Sequence, residues 1–367
     1  MSSQMSNQYY PDVVSPPGET LLETIEAMGM SQAELSERMG RPKKTINEII
    51  KGKTAITPET ALQLERVLGI PASFWNNRER QYREILARIQ ERAILQSQLD
   101  WLKLFPLKEM ISYGWVKASD STIEQLQELL NFFGVATPNE WRSLWSGLPV
   151  AFRQSTAYSA DPGSVAAWLR KGELDAQQIE CSPFTEEKFR SALSDIRIWT
   201  SKSPEVFVPR IREACAQAGV AVVFVKELPR IRTSGATRWL TPSKALLQLS
   251  LRYKSDDQLF FTLFHESAHI LLHGKREIFL EDDEKENDKE NEADRFAADL
   301  LIPPEDYRQF KPSKKYYSKE DILDFASRIS IAPGIVVGRL QHDGKLKPSF
   351  CNDLKVKLIW SDDVTDK

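Results

Sequence analysis

The chain has 367 residues, 41% hydrophobic and 28% charged, with a formal net charge of −3. This is ordinary globular composition, with apolar material for two or three domains. It excludes a protein that coats nucleic acid over its whole surface, so any basic site has to be local.

Residues 1–16 are polar and contain proline; they read as a disordered tail, without the charged and then apolar pattern of a secretory signal. Residues 17–80 read as an all-α domain of short helices. A helix over Gly18–Met28 stops at Gly29. Ser31 opens a second, with Glu34 at capping-box spacing, and this one ends at Gly40. Pro42 stands in a first-turn position, and a third helix runs to Ile50 before Gly52. Thr57-Pro58-Glu59-Thr60 opens a fourth, which ends at Gly69. Pro71 begins a fifth, which continues through Trp75 and Tyr82 toward residue 99.

The second and third helices, joined by the tight Gly40-Arg41 corner, have helix-turn-helix proportions. Ala33, Leu35, Met39, Ile46, Ile49 and Ile50 would pack them together. Lys43, Lys44, Thr45, Asn47 and Glu48 would face outward. Arg41–Lys53 holds five basic residues and one acid in a chain that is acidic overall, the footprint expected for phosphate contact. Asn47 suits an adenine edge, and Lys43, Lys44 and Lys51 suit phosphates or guanine. Thr45 lies beside them, and Gln32 is placed to touch backbone phosphate.

Residues 81–200 form a helical middle region whose tryptophans, Trp101 to Trp199, read as core aromatics. Residues 201–345 change character to α+β. Val220–Val225 reads as a buried strand. Ala236–Leu240 and Ala245–Leu251 read as two more, joined by a Thr-Pro-Ser turn. Asp256–His273 reads as one long helix, apolar nearly all round and therefore buried. An acidic run, Glu281–Glu292, leads into a helix over Asn291–Leu301, closed by Pro303-Pro304. Residues 346–367 are set apart as a C-terminal extension. No stretch approaches ~18 continuous apolar residues, so no membrane span is expected. Cys181, Cys215 and Cys351 are far apart and form no CxxC pair, which points to a reducing cytoplasm.

The long helix contains His265-Glu266-Ser267-Ala268-His269. Two histidines four apart share one helix face, one turn from each other, which suits two bonds to a single metal. Glu266 adjoins the first and can reach an attacking water without occupying a ligand position. Two imidazoles and a carboxylate in an apolar helix are costly without a partner, and a metal supplies one. Three of the chain's four histidines stand at 265, 269 and 273, and His273 reads as a helix-terminal residue favoured by the dipole. A third ligand is needed. Glu290 and Asp294 are again four apart, so one can bind metal while the other accepts a hydrogen bond from a ligand imidazole. Glu292 points the opposite way. His342, Tyr253, Tyr307 and Arg238 are candidates to stabilise an oxyanion.

Two resemblances sharpen these readings. HESAHILLH with ENEADRFAADLLIP resembles the ImmA/IrrE family of bacterial metallopeptidases, over roughly residues 205–345. The resemblance implies a zincin-like domain with Zn2+ held by His265, His269 and Glu290, and Glu266 as the catalytic carboxylate. Ala268 stands where that family often has glycine, and Asp294 where it often has asparagine. Residues 16–80, including the GKTAIT loop, resemble the HigA-like antitoxin branch of the Xre-type helix-turn-helix family. That implies a homodimer on a double-stranded, palindromic DNA operator. Together they imply a DNA-binding regulator fused to a zinc endopeptidase, active or latent, that cleaves a repressor or partner protein. The alternative is a non-catalytic antitoxin and autorepressor with a toxin partner, its metal domain structural or sensory.

Overall fold

The computed structural model describes residues 14–145, 161–231, 233–273, 279–280, 288–312 and 316–361. Most of the expected tail and the acidic run over 281–287 lie outside these residues. The chain divides into two compact units, Met1–Leu99 and Asp100–Lys367.

Among the described residues the first unit has five helices: α1 (Pro17–Ala27), α2 (Gln32–Met39), α3 (Lys43–Ile50), α4 (Pro58–Leu68) and α5 (Ala72–Gln96). Its compact body extends past residue 80 because α5 runs unbroken for 25 residues. Ser31 caps α2 by accepting the Glu34 N–H at 3.2 Å. The reciprocal half of the capping box is missing: the Glu34 carboxylate pairs with Arg38 at 2.6 Å instead. Gly40 and Gly69 end their helices with φ of 62° and 74°, the left-handed region that glycine enters without penalty. The core joins Leu21 and Ile25 of α1 to Leu35, Met39, Ile46 and Ile49, with Leu64 and Trp75 beneath them. At Gly18 a Cβ would stand 2.1 Å from the Ile49 carbonyl oxygen, so α1 and α3 meet backbone to backbone.

The second unit begins with α6 (Leu107–Ser112), α7 (Thr122–Phe133) and α8 (Pro138–Trp145). Trp101, Phe105, Phe133 and Trp141 pack there as a knot of rings, Trp101 meeting Phe105 edge-on at 4.8 Å and Trp141 at 5.6 Å. These tryptophans are core, as their apolar surroundings dictate. Next come α9 (Pro162–Gln177), α10 (Glu186–Trp199) and α11 (Pro204–Gln217), then strands β1 (Val220–Phe224), β2 (Gly235–Thr241) and β3 (Lys244–Leu249). A mixed sheet forms in the order β1-β3-β2-β4, where β4 is only Phe279–Leu280. β1 runs parallel to β3, and β2 forms an antiparallel hairpin with it.

Helix α12 (Asp256–Leu272) is buried along most of its length. It packs against the sheet and against α13 (Asp288–Leu301). The short α14 (Pro304–Gln309) follows, then α15 (Lys319–Ile329) and α16 (Pro333–His342). Residues 346–361 are part of this body rather than an appendage. Leu346 and Leu358 belong to its core. Asp256 N–H donates to the Val356 carbonyl at 3.0 Å, and the Val356 N–H donates back to Asp256 Oδ1 at 2.9 Å. Lys355 meets Asp257 at 2.7 Å.

This anchor makes stability depend on pH. Burial pushes the Asp256 carboxyl up to about 6. A carboxyl raised in the folded state contributes stability that is full below its unfolded pKa, about 3.9, and is lost as pH rises through 6. Asp256→Asn keeps an oxygen to accept the Val356 N–H and removes that loss. The variant should exceed the wild type by about 3 kcal/mol at pH 8, with the advantage vanishing near pH 4. Urea melts at the two pH values check this; a pH-independent difference would refute the assignment.

Candidate functional site

Three elements build the site: α12, α13 and the inner strand β2. His265 and His269 lie one turn apart on α12, with side chains 3% and 1% exposed. Their Nε2 atoms stand 3.1 Å apart. Glu290, in the first turn of α13, brings Oε2 to 3.0 Å from His265 Nε2 and 3.5 Å from His269 Nε2. These three residues form one group able to hold a metal ion. The donor set suits zinc: two nitrogens and one carboxylate oxygen at separations close to the roughly 3.3 Å between ligand atoms of one tetrahedral ion.

Asp294, one turn after Glu290, has Oδ1 2.8 Å from His265 Nδ1. It is placed to accept the Nδ1–H, which leaves the Nε2 lone pair facing the cluster. Glu292 stays outside the cluster, its Oε2 3.3 Å from His273 Nε2. His273 ends α12, as expected, with its side chain packed inward. Its side chain is 4% exposed, and its Nδ1 lies 2.8 Å from His269 Nδ1. The four-residue repeat 265, 269, 273 was the signal for this contact. Burial pulls the His269 imidazole down, against the opposing pull of Glu290, so the neutral ring is favoured. Burial also acts to raise the Glu290 carboxyl, but hydrogen bonds to His265 and His269 outweigh it and hold the group near 2.

Glu266 is fully buried. Its side chain lies against β2, where a Cβ on Gly235 would stand 2.6 Å from its Cγ and 2.7 Å from its Oε1. Glycine at 235 therefore permits the close passage of strand and helix that houses this carboxylate, a requirement with no local sequence signal. Thr237, two residues on and on the same face of the strand, lies 3.3 Å from the Glu266 carbonyl oxygen, which accepts its hydroxyl proton.

Strand alternation settles Arg238. The residue after Thr237 must face the other side of the sheet. There it pairs with Glu173 of α9 at 3.0 Å, so Arg238 is withdrawn as an oxyanion candidate. Tyr307 is also engaged elsewhere, donating to Asp343 at 2.6 Å. Tyr253 and His342 line a cavity of about 460 Å³ together with His265, Glu290 and Asp294. Phe261, Ala298, Leu301, Ile302 and Ile335 supply its apolar walls. Glu266 and His269 are not among the described residues lining it.

In the first unit, Lys43, Lys44 and Lys51 are exposed, while Thr45, Asn47 and Gln32 are half-buried. No side chain caps α3, whose first two residues are the lysines 43 and 44. Lys44 is 86% exposed and only 3.9 Å from Glu48, a pairing that contributes little at such exposure.

Comparison with known proteins agrees with this division. Residues 21–75 match the helix-turn-helix family model, and residues 221–341 match the IrrE N-terminal-like domain, a peptidase family model. The chain joins a helix-turn-helix domain to an IrrE N-terminal-like domain. The helix-turn-helix domain is 31% identical over 61 residues to an uncharacterized HTH-type transcriptional regulator, YddM, of Escherichia coli (strain K12), covering 17% of this chain and 65% of that protein. It is 36% identical over 52 residues to virulence-associated protein A of Dichelobacter nodosus, covering 14% and 51%. The chain thus spans less than two thirds of either relative. Among solved structures it is similar to a HigA-family addiction module antidote protein from Coxiella burnetii, at 28% identity and TM-score 0.21, covering 22% of this chain and 89% of that one. It is also similar to the Pseudomonas aeruginosa antitoxin HigA with higBA promoter, at 29% identity and TM-score 0.19, covering 20% and 79%. The IrrE-like domain holds the histidine cluster and the cavity beside it. Among the described residues no helix is long and apolar enough to cross a membrane.

Proposed function

We propose that this chain is a DNA-binding transcriptional regulator whose IrrE-like domain is a zinc-dependent endopeptidase acting on a partner protein, such as a repressor. The observation that carries this reading is the convergence of His265 Nε2, His269 Nε2 and Glu290 Oε2 within 3.5 Å of one another. Beside it, the cavity lined by His265 and Glu290 leaves room for a peptide.

Zinc held by these three residues would supply Lewis acidity toward a scissile carbonyl and its attacking water. The chain's own groups do the rest. Asp294 orients His265. Glu266 takes the proton from the attacking water and returns it to the departing amine. Tyr253 and His342, on the cavity wall, are placed to meet a carbonyl oxygen. The apolar walls exclude water and seat an aliphatic or aromatic side chain of the substrate. The helix-turn-helix domain takes the chain, as a homodimer, to double-stranded operator DNA through Gln32, Lys43, Lys44, Thr45, Asn47 and Lys51.

The full burial of Glu266, outside the cavity lining, favours a second reading in which the domain rests in a low-activity state or serves only to sense metal. Metal analysis by mass spectrometry tests the shared premise. The wild type should carry about one zinc per chain, and His269→Ala almost none. Equal zinc in both would sink the site.

A further inference from the structure

His273 ends α12 in extended backbone, with φ −112° and ψ 164°, yet it is tied to His269 twice. Its backbone N–H donates to the His269 carbonyl at 3.2 Å. Its ring nitrogen Nδ1 lies 2.8 Å from His269 Nδ1. On its far side Nε2 lies 3.3 Å from Glu292.

The contacts at Nδ1 and Nε2 of His273 order the donors and acceptors along these rings. An ionised carboxylate only accepts, so His273 Nε2 carries the hydrogen. Its Nδ1 then has a lone pair and accepts. His269 Nδ1 must be the donor, which places the His269 Nε2 lone pair toward His265 and Glu290. Asp294 sets the same tautomer in His265 by direct contact. For His269 the carboxylate stands one ring further out, at Glu292, whose side chain is 59% exposed. The buried cluster thereby gains a hydrogen-bond acceptor without a third carboxylate against it, and an unneeded buried charge is costly.

We propose that His273, backed by Glu292, is a positioning residue that sets the tautomer and ring plane of His269 and so determines how tightly the site holds zinc. This rests on reading His265, His269 and Glu290 as a zinc site.

The test is zinc affinity of the full-length protein, measured by chelator competition, with folding followed by circular dichroism. Outer partners of metal-bound histidines typically contribute about 10–100-fold in affinity, and His273→Ala should lose that much. Glu292→Ala, a change at an exposed position, should weaken binding less but measurably. His273→Asn should retain most of the affinity, because the asparagine oxygen can stand where Nδ1 stands and accept the same hydrogen. Wild-type binding with unchanged affinity in His273→Ala would overturn the inference and leave the zinc site intact. A His273→Asn loss equal to that of alanine would overturn it as well. Should His273→Ala fail to fold, undiminished affinity in Glu292→Ala would overturn it. A wild type that binds no zinc would instead overturn the reading of the site.

Discussion

Replacing Glu266 with glutamine should lower peptide cleavage by about 10²–10⁴-fold in kcat, with KM and zinc content nearly unchanged. The change removes a proton acceptor and almost nothing else. Glutamine has the shape of glutamate, and shape matters here. The side chain is fully buried, and its Cγ lies where any Cβ on Gly235 would come within 2.6 Å. A larger or branched residue at 266 would push β2 from α12 and confuse loss of chemistry with loss of structure. Glutamine avoids that. The assay is cleavage of a candidate repressor by wild type and variant at matched zinc loading. Undiminished cleavage would show that another group moves the proton. Equal inactivity of both proteins would favour the resting-state or sensing reading.

Operator binding should respond as strongly to three exposed lysines. Changing Lys43, Lys44 and Lys51 together to alanine should reduce the slope of log affinity against log salt by about 0.9 for each phosphate no longer neutralised, up to roughly 2.7. Affinity near physiological salt should fall by about 10²-fold or more. The fold should survive, because α3 is held by Ile46 and Ile49, which are buried, whereas these lysines are exposed. Asn47→Ala should act differently, at a cost of about 1–3 kcal/mol that falls on particular bases rather than on all sequences alike. Electrophoretic shifts on the upstream promoter across a salt series distinguish the two effects. An unchanged slope in the triple variant would place the DNA elsewhere.

The parts of this protein that were legible from residues alone are those encoded by local periodicity. The spacing of His265 and His269 puts two imidazoles on one turn. The same spacing in Glu290 and Asp294 puts one carboxylate at the cluster and the other behind a ring. Helix ends at Gly40 and Gly69 follow from glycine's access to positive φ. What was missed depends on interactions between distant segments. Arg238 was a plausible cation near the chemistry until the register of β2 put Thr237, not Arg238, toward α12. The Ser31 capping box formed only half because Arg38 competes for Glu34. His273 stands at a helix end, where solvent is the usual surrounding, and its contacts with His269 and Glu292 need tertiary packing that no local pattern reveals. The bond between Asp256 and Val356 joins residues 100 apart, and no local pattern announces such a pairing.

That last bond orders events during synthesis. Domains tend to fold as they leave the ribosome, amino-terminal parts first. The unit ending at Leu99 has its whole core available early, while the start of α12 waits for Lys355 and Val356 to emerge. A nascent chain would thus complete its helix-turn-helix unit well before its IrrE-like half is assembled. A premature stop before residue 355 would leave that first unit joined to an unanchored IrrE-like domain.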